Sequence, residues 1–262
     1  MRLNTRKATA GFAAVLALAP AAALAANIDG GPGNEHLRGT NAADTINGNG
    51  GNDRIAGRGG DDQLRGGPGN DRIFGGRGDD AISGDTNNAG DRTSFDLLLG
   101  EQGNDTINGG DSADRIYGGS GNDTNNGENG NDRMAGGTGD DTQTGGPGND
   151  LIFANSGVDT TSGGDGNDRL WALARSDVKP GPNGETDTIG DSLDGGDGND
   201  TFHVRDGEID RVTCGTGNDT ALLDNVDVIT DATAENPNGS CEKVERKAPK
   251  SKDSKSEDAQ QK

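Results

Sequence analysis

The chain has 262 residues, of which 48 are glycine and 27% are hydrophobic, and its formal net charge at pH 7 is −21. This acidity argues against a nucleic-acid partner, because nucleic acids attract basic surfaces. The low apolar content alone would suit a disordered chain, but the order of the residues predicts a folded one.

The chain begins with a pattern typical of a signal peptide. A basic start is followed by an apolar stretch over residues 8–22 and by the A-x-A cleavage site Ala23–Ala25. A transmembrane anchor is the weaker alternative, because the apolar stretch is short and Pro20 interrupts it. No other segment could span a membrane. We therefore expect export, to the medium or to the cell surface.

From Gly30 onward a nine-residue pattern, G-G-x-G-x-D-x-U-x with U apolar, repeats with little slippage, for example over Gly57–Arg65 and Gly66–Phe74. Such a period predicts a solenoid of stacked repeats. With the first glycine as position 1, units begin at 30 and every nine residues to 75, at 100 and every nine residues to 163, and at 195, 205 and 214. Residues 84–99 and 172–194 also end in D-x-U-x, so we interpret them as expanded units 7 and 16 of nineteen.

Position 6 is the candidate metal ligand. Its aspartate, with carbonyls brought together by the glycine turns, makes a set of hard oxygen ligands that suits calcium rather than zinc or copper. The unit that contains Asp210 lacks glycines at Arg205 and Glu208, and this aspartate is left out of the predicted set. The predicted calcium ligands are Asp44, Asp53, Asp62, Asp71, Asp80, Asp105, Asp114, Asp123, Asp132, Asp141, Asp150, Asp159, Asp168, Asp200 and Asp219.

Position 8 is apolar and prone to β-structure, as a short strand with one buried face requires. The period is too short to place a helix between strands, so the strands must wind as a coil. The sequence thus predicts an all-β solenoid.

These repeats resemble the RTX, or hemolysin-type, calcium-binding family. The resemblance covers residues 30–222 and implies a right-handed parallel β-roll with two units per turn. It also implies calcium in the turns between units n and n+2, with Asp53 and Asp71, Asp62 and Asp80, and Asp105 and Asp123 sharing ions. The segment from Asp210 to Val244 resembles the end of secreted calcium-binding proteins of high-GC bacteria. About ten bound calcium ions would contribute about +20 and cancel most of the negative charge.

The C-terminal part divides in two. Cys214 and Cys241 are the two cysteines of the chain, and export favours a disulfide between them over two free thiols. The predicted organisation is a signal peptide (1–25), a β-roll (26–222), a cap with the disulfide (223–244) and a disordered tail (245–262).

Two units per turn would place odd and even units on opposite sheets, with position 8 inward and positions 7 and 9 outward. Odd units then present arginines at position 7 and aromatic residues at position 9. The alternative is that the inserted loops cover these rings. Even units present threonines at position 7 with small polar residues at position 9. Inside the even sheet, Asn125, Gln143 and Thr161 replace apolar residues, which predicts a soft spot or an internal amide ladder.

The sequence contains no H-E-x-x-H and no G-x-S-x-G motif, and the repeats leave no room for a catalytic domain. We therefore expect a non-catalytic calcium-binding protein that folds on calcium and has a structural or interaction role. The alternatives are an adhesin-like or ice-binding module, and a calcium-binding accessory of a secreted enzyme or toxin. Expected partners, besides calcium, are a cell-surface polysaccharide or a second copy of the chain.

Overall fold

A computed structural model of the chain describes residues 24–85, 94–172 and 190–248, together with the backbone of Arg6 and Lys7. The other residues of the predicted signal peptide up to residue 23, residues 86–93 and 173–189 of the inserted segments, and the last fourteen residues lie outside the described residues. The described part contains strands and no helix. It therefore has no helix long and apolar enough to cross a membrane.

The strands form two parallel sheets, and the chain passes from one sheet to the other after each unit. We call them the even-unit sheet and the odd-unit sheet. The even-unit sheet contains β1 (Arg6–Lys7), β2 (Asn27–Asp29), β4 (Thr45–Asn47), β6 (Gln63–Arg65), β8 (Ala81–Ser83), β10 (Thr106–Asp111), β12 (Thr124–Asn129), β14 (Thr142–Pro147), β16 (Thr160–Asp165), β18 (Ser192–Asp197), β20 (Arg211–Thr213) and β22 (Val228–Ile229).

The odd-unit sheet contains β3 (His36–Arg38), β5 (Arg54–Ala56), β7 (Arg72–Arg77), β9 (Leu97–Gln102), β11 (Arg115–Ser120), β13 (Arg133–Thr138), β15 (Leu151–Ser156), β17 (Arg169–Trp171), β19 (Thr201–Val204), β21 (Thr220–Leu223) and β23 (Lys243–Arg246). The architecture is a β-solenoid of about ten turns. The predicted parallel β-roll with two repeats per turn is confirmed.

The register of the sheets repeats with a period of two units. Arg54 pairs with Arg72 across β5 and β7, and Thr106 pairs with Thr124 across β10 and β12. The strand β9, which ends the first inserted segment, pairs with β7 in the same phase. Each position of the motif therefore forms a straight row along the solenoid, with about 4.8 Å between neighbouring strands.

The core consists of the two inward rows at position 8. Ile55, Ile73, Leu98 and Ile116 on the odd-unit sheet are fully buried, as are Ile46 and Ile107 on the even-unit sheet. Because each turn contributes only two such side chains, the core is thin. Apolar burial alone is a modest source of stability for this fold.

Three buried polar side chains lie next to one another in the even-unit row. Asn125 pairs with Gln143, and Gln143 pairs with Thr161. Gln143 Nε2 donates to the carbonyl oxygen of Phe153 (2.9 Å). Both side-chain polar atoms of Asn125, together with Gln143 Oε1 and Thr161 Oγ1, have no hydrogen-bond partner. The alternative of an amide ladder is therefore wrong, and this segment is the unsatisfied part of the core.

Position 9 of the odd units differs from the sequence expectation. Tyr117 is half-buried, but Phe153 and Trp171 retain only 1% and 9% of their exposure. The ring of Phe153 lies 6.0 Å from that of Trp171, and Trp171 stacks on His203 at 3.7 Å. Neighbouring strands bring these rings into contact with one another, while residues 86–93 and 173–189 of the inserted loops, the alternative cover, lie outside the described residues. The expectation that this row is exposed to solvent is wrong at Phe153 and Trp171.

The C-terminal end is closed by β22, β23 and a disulfide. Cys214 and Cys241 are bonded, with their Cα atoms 5.2 Å apart, which confirms the predicted pair. Strand β23 extends to Arg246 and pairs with β21. Regular structure thus continues two residues into the segment that composition assigns to the tail.

The unsatisfied hydroxyl of Thr161 gives a stability prediction. Thr161→Val keeps the shape of the side chain and removes a buried polar atom that has no partner, so we expect stabilisation by about 1 kcal/mol. The measurement is the thermal or urea midpoint in saturating calcium. Thr160→Val, on the exposed neighbouring residue, is the control and is expected to change little. A loss of stability in Thr161→Val would show that its hydroxyl is satisfied.

Candidate calcium sites

The position-6 aspartates form two rows, one at each edge where the solenoid turns. One carboxylate oxygen of each accepts a hydrogen bond from the backbone N–H of the position-6 residue two units earlier. The N–H of Asp53 donates to Asp71 Oδ1 (2.7 Å), and that of Asp62 donates to Asp80 Oδ1 (2.8 Å). The N–H of Asp105 donates to Asp123 Oδ1 in the same way (2.7 Å). Units n and n+2 are therefore neighbours, as the resemblance implied.

These bonds form a continuous carboxylate–amide ladder at each edge. Along the even-unit edge the order is Ala26, Asp44, Asp62, Asp80, Asp105, Asp123, Asp141, Asp159, Asp191, Asp210 and Asp227. Along the odd-unit edge the order is Glu35, Asp53, Asp71, Asp96, Asp114, Asp132, Asp150, Asp168, Asp200, Asp219 and Glu242.

The second carboxylate oxygen distinguishes the aspartates from ordinary turn residues. In fourteen of the fifteen predicted ligands, Oδ2 is buried and has no hydrogen-bond partner. The exception is Asp44, whose Oδ2 accepts from the N–H of Thr40 (2.5 Å). A row of buried anionic oxygens without partners would be costly unless something else satisfies them.

Backbone carbonyls lie close to these oxygens. A Cβ added at Gly48 would come within 3.0 Å of both Asp53 Oδ2 and the carbonyl oxygen of Gly66. The same holds at Gly118, for Asp123 Oδ2 and the carbonyl oxygen of Gly136. Glycine at position 1 keeps the space between carboxylate and carbonyl open in these units, whereas the units that begin at 154 and 205 carry Ala154 and Arg205 there.

The ligand chemistry fits calcium. A carboxylate oxygen and backbone carbonyl oxygens are hard ligands, which calcium prefers. Among the described residues, no group of three or more His, Cys, Asp or Glu side chains is arranged to hold a metal. A metal in these turns would therefore depend on one carboxylate and the surrounding carbonyls, rather than on a cluster of acidic side chains.

Burial changes the acidity of the row. It raises the pKa of Asp71 to about 7 and that of Asp132 to about 6, and the backbone N–H bond from the preceding rung lowers each in part. Burial also raises the pKa of Asp96 to about 9, and the neighbouring carboxylates of Asp114 and Asp85 add to the increase. Without a cation, the folded roll thus favours protonated carboxyls.

Four aspartates of the ladders are absent from the predicted ligand set. Asp96 and Asp191 end the inserted segments in the D-x-U-x phase, and Asp210 is fully buried with no partner at Oδ2. The missing glycines of its unit do not remove Asp210 from the ladder. Asp227 was missed, although Asp227-Val-Ile-Thr repeats the D-x-U-x signal. At the C-terminal end, Glu242 takes the position that Glu35 has at the N-terminal end.

Comparison with known proteins agrees with this geometry. The family model of the RTX calcium-binding nonapeptide repeat, which spans four copies, matches residues 29–64, 57–88, 93–124, 126–143, 136–170 and 190–208. These segments together cover more than half of the chain, and the chain belongs to this family. The comparison with curated proteins found no match.

Replacing one carboxylate tests the role of its second oxygen. Asp71→Asn keeps the acceptor for the N–H of Asp53 but removes the charge, so we expect a several-fold higher calcium midpoint in circular dichroism. Asp61→Asn is the matched control, because Asp61 is exposed and other units have asparagine at this position 5. Equal midpoints in the two variants would contradict a calcium role for Asp71.

The raised pKa values predict a pH dependence with a definite sign. The folded-state pKa values of about 6 to 9 exceed the ordinary 3.8, so the calcium-free fold binds more protons than the unfolded chain. Its stability should increase as the pH falls through this range and decrease as the pH rises. We expect more β-signal from the calcium-free chain at pH 5 than at pH 8, and a higher calcium midpoint at pH 5. Loss of β-signal on acidification would contradict this.

Proposed function

We propose that the protein is an exported, non-catalytic β-roll that folds when it binds calcium, and that it acts as a structural or interaction module. The observation that carries this proposal is the row of buried Oδ2 atoms without hydrogen-bond partners. The predicted position-6 aspartates are the proposed calcium ligands. Asp96, Asp191 and Asp210 join them because they occupy the same ladders.

The balance of energies favours folding that depends on calcium. The position-8 rows supply a thin apolar core, while the turns bury carboxylates such as that of Asp114, whose pKa is raised mainly by loss of water. A bound cation would compensate for the lost hydration of these carboxylates, and it would take the place of the protons that they otherwise bind. Metal-binding energy then becomes folding energy, and extracellular calcium modules typically bind near 10⁻⁴–10⁻³ M. The proposed load is about ten ions, or about +20 in charge.

Export and the lack of catalysis complete the proposal. The basic and apolar start with its A-x-A site supports export, and so does the disulfide between Cys214 and Cys241, which suits an oxidising compartment. The described strands are used for the calcium turns and for packing. Family membership supports a structural role rather than an enzymatic one.

Calcium titration tests the proposed function. We expect the chain to be largely unfolded in chelator and to gain β-structure at millimolar calcium. Magnesium at equal concentration should do so poorly, because it prefers small octahedral sites. Trp171 is the single tryptophan and is buried in the fold, so its fluorescence should become protected from iodide on the same transition. A complete β-spectrum in chelator would contradict the proposal.

A further inference from the structure

The outer face of the odd-unit sheet is basic, although the chain as a whole is strongly acidic. Its position-7 row contains five arginines, which we call the arginine row: Arg54, Arg72, Arg115, Arg133 and Arg169. From β3 to β21, positions 7 and 9 of this sheet contain no aspartate or glutamate. The chain has 45 acidic residues, so the face differs in charge from nearly everything around it.

The arginine row is exposed and is not neutralised within the described part of the chain. Four of its members are exposed, and Arg133 is half-buried. The ion pairs between described residues involve Arg205, Lys243 and Lys247 with Glu245, at the C-terminal end, and none includes the row. The guanidinium groups of the four exposed arginines are therefore available to an anionic partner, whereas Nη2 of Arg133 is buried.

Three of the arginines are oriented by aromatic rings. The guanidinium carbon of Arg54 lies 4.6 Å from the ring centre of Phe74, that of Arg115 lies 5.0 Å from Phe95, and that of Arg133 lies 5.2 Å from Phe153. A guanidinium that lies over a ring keeps the N–H groups at its edge free for a carboxylate. Because the rings already restrict these three arginines, the side chains lose less conformational freedom when a ligand binds.

The even-unit sheet shows that this charge is not a general property of the motif. At positions 7 and 9 it carries threonine, asparagine and serine along β10 to β16, and between β2 and β22 its two arginines at these positions, Arg65 and Arg211, lie far apart. Asp29 and Asp194 offset them. The repeat accepts a neutral outer face equally well, so the arginine row is a separate feature of the odd units.

The spacing of the row suits an extended chain. Neighbouring strands are about 4.8 Å apart. Arg54 and Arg72 lie one strand apart, as do Arg115 and Arg133, whereas Leu97 and Leu151 separate the other neighbours in the row by two strands. All these separations are multiples of a spacing close to the length of one sugar residue in a linear polysaccharide. Duplex nucleic acid presents one phosphate per about 3.4 Å of each strand. This phosphate spacing does not match the spacing of the strands that carry the arginine row. The flanking turns are acidic, so a polyanion would be confined to this strip, and calcium in the turns would lower the repulsion around it.

We propose that the arginine row binds a linear acidic polysaccharide with carboxylates on its sugar residues. This proposal rests on the proposed function, because the row exists only when the roll is folded. Arginine suits the ligand because its guanidinium can hold a carboxylate through two parallel hydrogen bonds. The half-buried rings of Phe74 and Tyr117 beside the row offer apolar contact to the sugar rings.

The test measures binding of a labelled oligogalacturonate, too short to gel with calcium, to the full chain in saturating calcium. We expect calcium-dependent binding that weakens as salt increases. The double variant Arg72→Gln/Arg169→Gln is expected to bind at least about tenfold more weakly. The matched control is Arg65→Gln/Arg211→Gln, which removes the same charge from the even-unit sheet and should bind like wild type. Methyl-esterified oligogalacturonate has the same chain without charges and should not bind.

Circular dichroism on the same samples separates the two proposals. If calcium does not fold the chain, the proposed function fails and this surface fails with it. If the chain folds but does not bind oligogalacturonate, or if both double variants lose affinity equally, the arginine row is not the binding surface. Equal binding of a single-stranded oligonucleotide would overturn the assignment to polysaccharide, because it would show attraction to any polyanion.

Discussion

The structure depends on the two oxygens of one carboxylate, repeated along both edges of the roll. In Asp132, Oδ1 accepts the N–H of Asp114 and links one turn to the next, while Oδ2 is buried without a partner. The first oxygen sets the stacking of the turns, and the second creates a demand for a cation. In the proposed function, folding and calcium binding are coupled through the same side chain, so the thin position-8 core would not need to stabilise the fold alone. Glycines such as Gly48 and Gly118 at position 1 serve the same arrangement, since a Cβ there would enter the space between carboxylate and carbonyl.

The periodicity of the sequence was sufficient to predict the fold because each motif position has one structural role. The spacing of Asp and Ile in Asp53-Arg54-Ile55 shows which residue turns, which faces solvent and which is buried, and the register of β5 with β7 follows from it. The amino-acid composition alone could not have predicted these roles or the register. Periodicity failed where neighbouring side chains of one row interact. Phe153 and Trp171 face outward by phase, yet they are buried, and their rings contact one another across adjacent strands. The phase of a strand assigns a face, but only the neighbouring side chains decide the exposure.

The ladder also shows why the limits of the candidate site were underestimated. Asp210 is in a unit with two missing glycines, and Asp227 follows a segment without any of the motif glycines. A search that requires glycine therefore ends too early. The bonds from Asp191 to Asp210 and from Asp210 to Asp227 continue regardless, because the D-x-U-x half of the unit forms the strand and its leading carboxylate. The two halves of the motif have separate roles, and the strand half can persist after the turn half has changed.

The distribution of charge follows from the same separation of roles between the turn half and the strand half of the motif. The carboxylates occupy the turns, where cations can reach them, and this leaves the two sheet faces free to differ. The even-unit sheet carries small polar side chains such as Thr124 and Thr142 in register, which keeps a flat sheet soluble. The odd-unit sheet carries arginines held over aromatic rings. The carboxylates of the turns and the arginines of the odd-unit face are separated in space rather than paired. Calcium bound in the turns would therefore change the electrostatic potential around the arginines without contacting them. The edges of the roll thus hold the carboxylate ladders, while its two faces differ in charge.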